Sequence, residues 1–119
     1  MKNKEETSFL LSCDLYYLAE LPNFVKRPSD LTTSVNNSVM FDCKATSDLG
    51  VKYSWFQLVK GSSTSTSVLK LDNRFNIFPN GSLNIRSVQK KDEAFYHCRA
   101  ENPIGFNNVT AFLRVLGKF

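Results

Sequence analysis

Cys43, Trp55 and Cys98 each take an inward position in a separate run of residues whose hydrophobicity alternates with a period of two. That arrangement narrows the possible folds more than any other feature of the chain. In "VMFDCKA", Val39, Phe41, Cys43 and Ala45 share one side, while Met40, Asp42 and Lys44 share the other. In "VKYSWFQL", Val51, Tyr53 and Trp55 face together, and in "AFYHCRA" so do Tyr96, Cys98 and Ala100. Successive side chains on a strand point to opposite faces, so each run reads as a half-buried antiparallel strand. Cysteines buried on two different strands are well placed to bridge two packed sheets, with the indole lying against the sulfurs. Closing so long a loop would stabilise the fold by about 4 kcal/mol on the chain-entropy account. Three cysteines allow one bridge with one thiol left over, and Cys13 stands apart in the N-terminal stretch.

The same period continues elsewhere. "NNVTAFLRV" turns Val109, Ala111, Leu113 and Val115 inward. "RFNIF" and "SLNIRSV" read as short strands joined by "PNG", where Asn80 and Gly81 both tolerate positive φ and suit a hairpin turn. "NPIG" is turn chemistry, and "GSSTSTS" is a flexible, low-complexity loop. Short strands separated by turn signals predict an all-β chain folded as a two-sheet antiparallel β-sandwich. The 119 residues suffice for one domain, which hides roughly two thirds of its unfolded surface. An apolar content of 42% and a charged content of 22% fit a packed globule rather than a disordered chain.

Residues 1–21 read differently. The apolar run 9–13 is too short for a secretory signal core, and Asp14 and Glu20 break up the apolar residues beyond it. Leu11, Leu15 and Leu18 share a helical stripe, a weak amphipathic pattern. The preferred reading of "YYLAELPNFVKRPSDL" is a strand end, a proline-marked linker and a new strand. Residues 1–21 are then an extension or the remnant of a preceding segment, and the domain occupies 22–117.

Several functions are excluded by what these residues cannot do. The net charge of +4 is dispersed, with no basic run or helix stripe to grip nucleic acid. No apolar run approaches the roughly 18 residues of a membrane helix, so attachment to a membrane falls to parts of a parent chain. His97 adjoins Cys98, yet neighbours on a strand point apart, so the pair is not an activated nucleophile. One histidine and three scattered cysteines make no zinc set, and neither a phosphate-cradling glycine loop nor an acidic calcium loop is present. No catalytic, cofactor-binding or metal-binding residue is expected, and the chain is read as non-enzymatic.

Taken together, Cys43, Trp55, "SLNI" and "DEAFYHCRAENPIG" resemble an immunoglobulin domain, most like the I-set type of cell-adhesion molecules and receptor ectodomains. The resemblance covers residues 22–116. It implies Greek-key connections and an inter-sheet disulfide between Cys43 and Cys98. It makes Tyr96 a tyrosine corner, its hydroxyl bonded back to nearby backbone, and pairs Arg74 with Asp92 across one end of the sandwich. Two departures stand out: the Ser/Thr-rich stretch lengthens the middle connection, and the first twenty residues match nothing in the pattern.

Three sequons, at Asn36, Asn80 and Asn108, point to N-glycosylation and secretion, although composition alone yields about two by chance. Alternation also sets an outward face beside Trp55 and Cys98: Phe56, His97, Arg99, Phe112 and Arg114. Aromatic rings flanked by arginines resemble the centre of a protein interface. The resemblance therefore implies an extracellular protein–protein recognition module of a surface receptor or adhesion protein, one of several in tandem, meeting a homophilic or heterophilic partner and its neighbouring domains. Two alternatives share the fold: a module of an intracellular muscle-filament or scaffold protein, with both cysteines as thiols, and a ligand-binding piece of a receptor kinase or phosphatase ectodomain.

Overall fold

Nine strands and one short turn of helix account for the regular structure of the described residues. The computed structural model describes residues 20–59 and 73–117; Cys13, the rest of the extension before Glu20 and the Ser/Thr-rich stretch lie outside the described residues. The strands are β1 (Asn23–Lys26), β2 (Leu31–Ser34), β3 (Val39–Phe41), β4 (Lys44–Thr46), β5 (Lys52–Val59), β6 (Phe75–Ile77), β7 (Leu83–Ile85), β8 (Ala94–Asn102) and β9 (Gly105–Leu116), with a 3-10 turn over Lys90–Asp92. One layer is a four-stranded sheet in the order β2-β9-β8-β5. The other is made of β3-β7-β6 and the pair β1-β4. Only Asp42 and Cys43 separate β3 from β4, so these two ladders continue along one line of chain.

The inward alternation of β5, β8 and β9 meets that of β3 and β7 in one apolar core. Phe41, Trp55, Leu83, Ile85, Tyr96, Leu113 and Val115 are all buried there. The Phe41 ring lies 6.0 Å from Trp55 and 5.5 Å from Tyr96, in the tilted geometry that ring quadrupoles favour. Cys43 and Cys98 are disulfide-bonded between the layers. Trp55 is the cross-strand partner of Cys98, and its indole N–H donates to the Gly81 carbonyl at 2.8 Å, which satisfies a buried polar group.

Two local features differ from expectation. The sandwich is not wholly antiparallel: β2 runs parallel to β9, from Leu31 beside Leu113 to Ser34 beside Leu116. Pro28 explains the crossing. It has no N–H to extend the β1–β4 ladder, so the chain leaves that layer after Arg27 and joins the edge of the other. The Asp30 carboxylate then accepts the Phe112 N–H at 2.8 Å and holds β2 at that edge.

The turn after β6 also closes otherwise than expected. Only Gly81 takes positive φ there, at 103°, and Asn80 does not. Pro79 holds its own φ negative, the Gly81 N–H reaches the Phe78 carbonyl at 2.9 Å, and the Asn80 side-chain oxygen accepts the Ser82 N–H at 2.9 Å. A side chain at 81 would also collide, because a Cβ there would stand 2.5 Å from the Tyr53 ring and 2.8 Å from the Cys43 carbonyl oxygen.

Candidate functional site

The outward side chains of β5, β8 and β9 form one face, because their alternate residues fill the core. Strand register lays them out in rows. Phe56 pairs with His97 and His97 with Thr110; Ser54 pairs with Arg99 and Arg99 with Asn108. On one side of these, Leu58 pairs with Phe95 and Phe95 with Phe112. On the other, Lys52 pairs with Glu101 and Glu101 with Phe106. Arg114 is exposed and pairs with Thr32 of β2 at the margin.

Specific contacts stiffen the face. The Phe95 and Phe112 rings sit 4.7 Å apart with planes at 60°. The Arg99 guanidinium lies 3.7 Å from the centre of the Phe106 ring, a cation–π contact, while its Nε is 4.0 Å from the Glu101 carboxylate. His97 Nδ1 meets the Thr110 hydroxyl at 3.3 Å.

The structure thus brings Phe56, His97, Arg99, Phe112 and Arg114 onto one face but corrects their exposure. Phe56 and Phe112 are half-buried, and the Phe95 ring leans on Phe112. The freely exposed rings are Phe95, at 39%, and Phe106, at 44%. Sequence reasoning missed both, although the same alternation reaches them, two residues before His97 and six before Phe112.

The remaining site residues stand elsewhere. Arg74 forms a two-pronged ion pair with Asp92, Nη1 to Oδ2 at 2.8 Å and Nη2 to Oδ1 at 3.1 Å, and Nη1 also reaches the Ser87 carbonyl at 3.1 Å. Asp92 accepts the Gln89 N–H at 2.7 Å as well, so its buried carboxylate is well satisfied. The Tyr96 hydroxyl donates to the Asp92 backbone carbonyl, and burial pushes the phenol well above its usual range, with the nearby Asp92 charge adding to the rise. Asn36, in a turn with φ of 76°, is exposed, as are Asn80 and Asn108. Among the described residues no cluster of three His, Cys, Asp or Glu side chains gathers as a metal site. What the arrangement offers is a surface that is both apolar and cationic.

Comparison with known proteins places this geometry. The Immunoglobulin I-set domain profile matches residues 22–115. The chain is 34% identical over 96 residues to Protein sax-3 of Caenorhabditis elegans, covering 81% of this chain and 7% of that protein. It is 33% identical over 85 residues to Cell adhesion molecule DSCAM of Homo sapiens, covering 71% of this chain and 4% of that protein. The chain therefore spans only a small part of the length of these relatives. One chain from a crystal structure of the complex between titin and an obscurin-like Ig domain superposes with a TM-score of 0.70 at 21% identity, covering 82% of this chain and 96% of that one, a likeness of fold alone. With its family profile, its stapled sandwich and its buried Trp55, the chain belongs to the immunoglobulin I-set domain family.

Proposed function

We propose that this domain is a non-catalytic recognition module of a larger cell-surface or secreted protein, set among sister modules, and that it presents the outward face of β5, β8 and β9 to a protein partner. The observation that carries the reading is the face itself. Exposed Phe95 and Phe106 stand among Arg99, Arg114 and Lys52, with Glu101 the acidic member of its rows. Aromatic and arginine side chains are the groups that interface centres concentrate. The positive excess favours a heterophilic partner with an apolar centre and an acidic rim, since a second copy of the same face would bring like charges together. Sheet and disulfide hold the face in place before contact, so little ordering entropy is lost on binding. The extracellular setting is supported by the Cys43–Cys98 bridge and by relatives such as the adhesion molecule DSCAM.

The test is binding of the tetramerised full chain to intact cells, compared with a Phe95→Ser/Phe112→Ser variant of unchanged circular dichroism and melting. A several-fold loss of binding in the variant is expected. Equal binding would remove the face from the account. Free thiols at 43 and 98 in protein taken from its natural source would move the module to a reducing compartment, as in a filament protein.

A further inference from the structure

Phe106, Asn108 and Thr110 occupy alternate positions of β9 and are all exposed, so an aromatic ring, a sequon asparagine and its hydroxyl residue share one face at strand spacing, about 7 Å from one to the next. We propose that Asn108 carries an N-linked glycan whose first sugar rests on the Phe106 ring, covering the Arg99–Phe106 half of the face and confining protein docking to the half around Phe56, Phe95, His97 and Phe112. The proposal rests on the extracellular reading above and deepens it.

Three observations carry it. Asn107 is no competitor, because Val109 two residues on denies it a sequon and its amide donates to the Pro22 carbonyl at 2.8 Å, whereas Asn108 has Thr110 and faces solvent. A pyranose presents an apolar C–H face that an aromatic ring accepts, and the Phe106 ring stays 44% exposed with the Arg99 guanidinium over one of its faces at 3.7 Å. Arg99 is also the direct cross-strand partner of Asn108, so a bulky sugar at 108 overhangs it. Phe112 lies four residues further along β9, about 13 Å away, beyond that overhang.

Attachment is a group transfer from a lipid-linked oligosaccharyl pyrophosphate. Asn108 Nδ2 bonds to the anomeric carbon, the bond from that carbon to the pyrophosphate oxygen breaks, and the amide proton lost leaves with the lipid pyrophosphate. The sequon supplies the acceptor and its Thr110 hydroxyl.

To test this, the full chain is secreted from cells that make N-glycans, and the tryptic peptide 100–114 is treated with N-glycosidase in heavy-oxygen water. Asn108 is expected to convert to labelled Asp. Hydroxyl-radical footprinting of the same peptide is expected to show Phe106 oxidised several-fold less in the glycosylated protein than in Asn108→Gln or Thr110→Val, with Phe112 alike in all three. A bare Asn108 in a chain whose Cys43–Cys98 bridge has formed, or equal oxidation of Phe106, overturns the proposal and leaves the recognition reading standing. Protein from its natural source with free thiols and no sugar on any sequon sinks both together.

Discussion

The Tyr96 hydroxyl donates to the Asp92 carbonyl oxygen at 2.5 Å, fastening the central strand β8 to the turn that leads into it. The same phenolic oxygen accepts from the Gln57 side chain at 3.0 Å, so one atom links β5, β8 and that turn. Deleting the hydroxyl leaves the buried Asp92 carbonyl and the part-buried Gln57 amide without this partner. Tyr96→Phe is expected to lower the unfolding free energy by about 1–3 kcal/mol, seen as a lower urea midpoint at unchanged slope. An unchanged midpoint would show that the bond is dispensable.

The same residue imposes a pH dependence. Burial first, and the Asp92 charge second, raise the folded-state phenol above the usual value near 10. Below about pH 10 both states keep this proton and its contribution is whole. As pH climbs past that point the unfolded chain releases the proton while the folded one retains it, so the unfolded state binds fewer protons and stability falls. Denaturation midpoints between neutral pH and about pH 11 should decline more steeply in the parent chain than in Tyr96→Phe. Parallel curves would contradict the assignment.

Cys43 and Cys98 stand 55 residues apart in sequence, and their bond removes much of the unfolded chain's freedom. Cys43→Ala/Cys98→Ala is expected to lose about 4 kcal/mol relative to the oxidised parent. The double variant is the informative one, since it leaves no stray thiol from the pair to form other bridges. Equilibrium unfolding in urea gives the difference directly, and a loss well under half that size would mean that core packing alone organises the sandwich.

Much of this fold was legible because β5, β8 and β9 are long and bury one side only, so the inward set from Trp55 to Val115 can be counted by twos. The parallel contact of β2 with β9 was not legible, because alternation looks the same whichever way a neighbouring strand runs. The candidate face was half visible. Counting gave Phe56 and Phe112 as outward, but register alone shows that Phe95 stacks on Phe112 and shields it. Asn102 read simply as part of a turn, and nothing local reveals that its amide reaches a carbonyl 82 residues earlier.

Arg74 and Asp92 make a second long-range tie. The Asp92 side chain is almost wholly buried and relies on both guanidinium nitrogens, while the Arg74 side chain is partly open to solvent. Removing the cation strands a buried carboxylate, and Arg74→Ala is expected to cost about 3 kcal/mol. Arg74→Lys should recover part of that loss, since an ammonium supplies the charge without the two-pronged geometry. Thermal unfolding of the three proteins ranks them, and a lysine variant as stable as the parent would show that charge alone suffices.

Asn102 joins three separate pieces of chain. Its Nδ2 donates to the Glu20 carbonyl at 2.7 Å and to the Ser47 hydroxyl at 2.9 Å, while its Oδ1 accepts the N–H groups of Ile104 and Gly105 at 2.9 and 3.2 Å. The residue is buried, so water does not easily replace these bonds. Asn102→Ala strips both sets and is expected to destabilise the fold by about 1–3 kcal/mol. Asn102→Asp separates them, since the carboxylate still accepts from the β8–β9 turn but cannot donate to Glu20 or Ser47. Hydrogen exchange should then show the Ile104 and Gly105 amides protected in Asn102→Asp and open in Asn102→Ala. Equal protection in the two variants would mean that strand pairing, not this side chain, closes the turn.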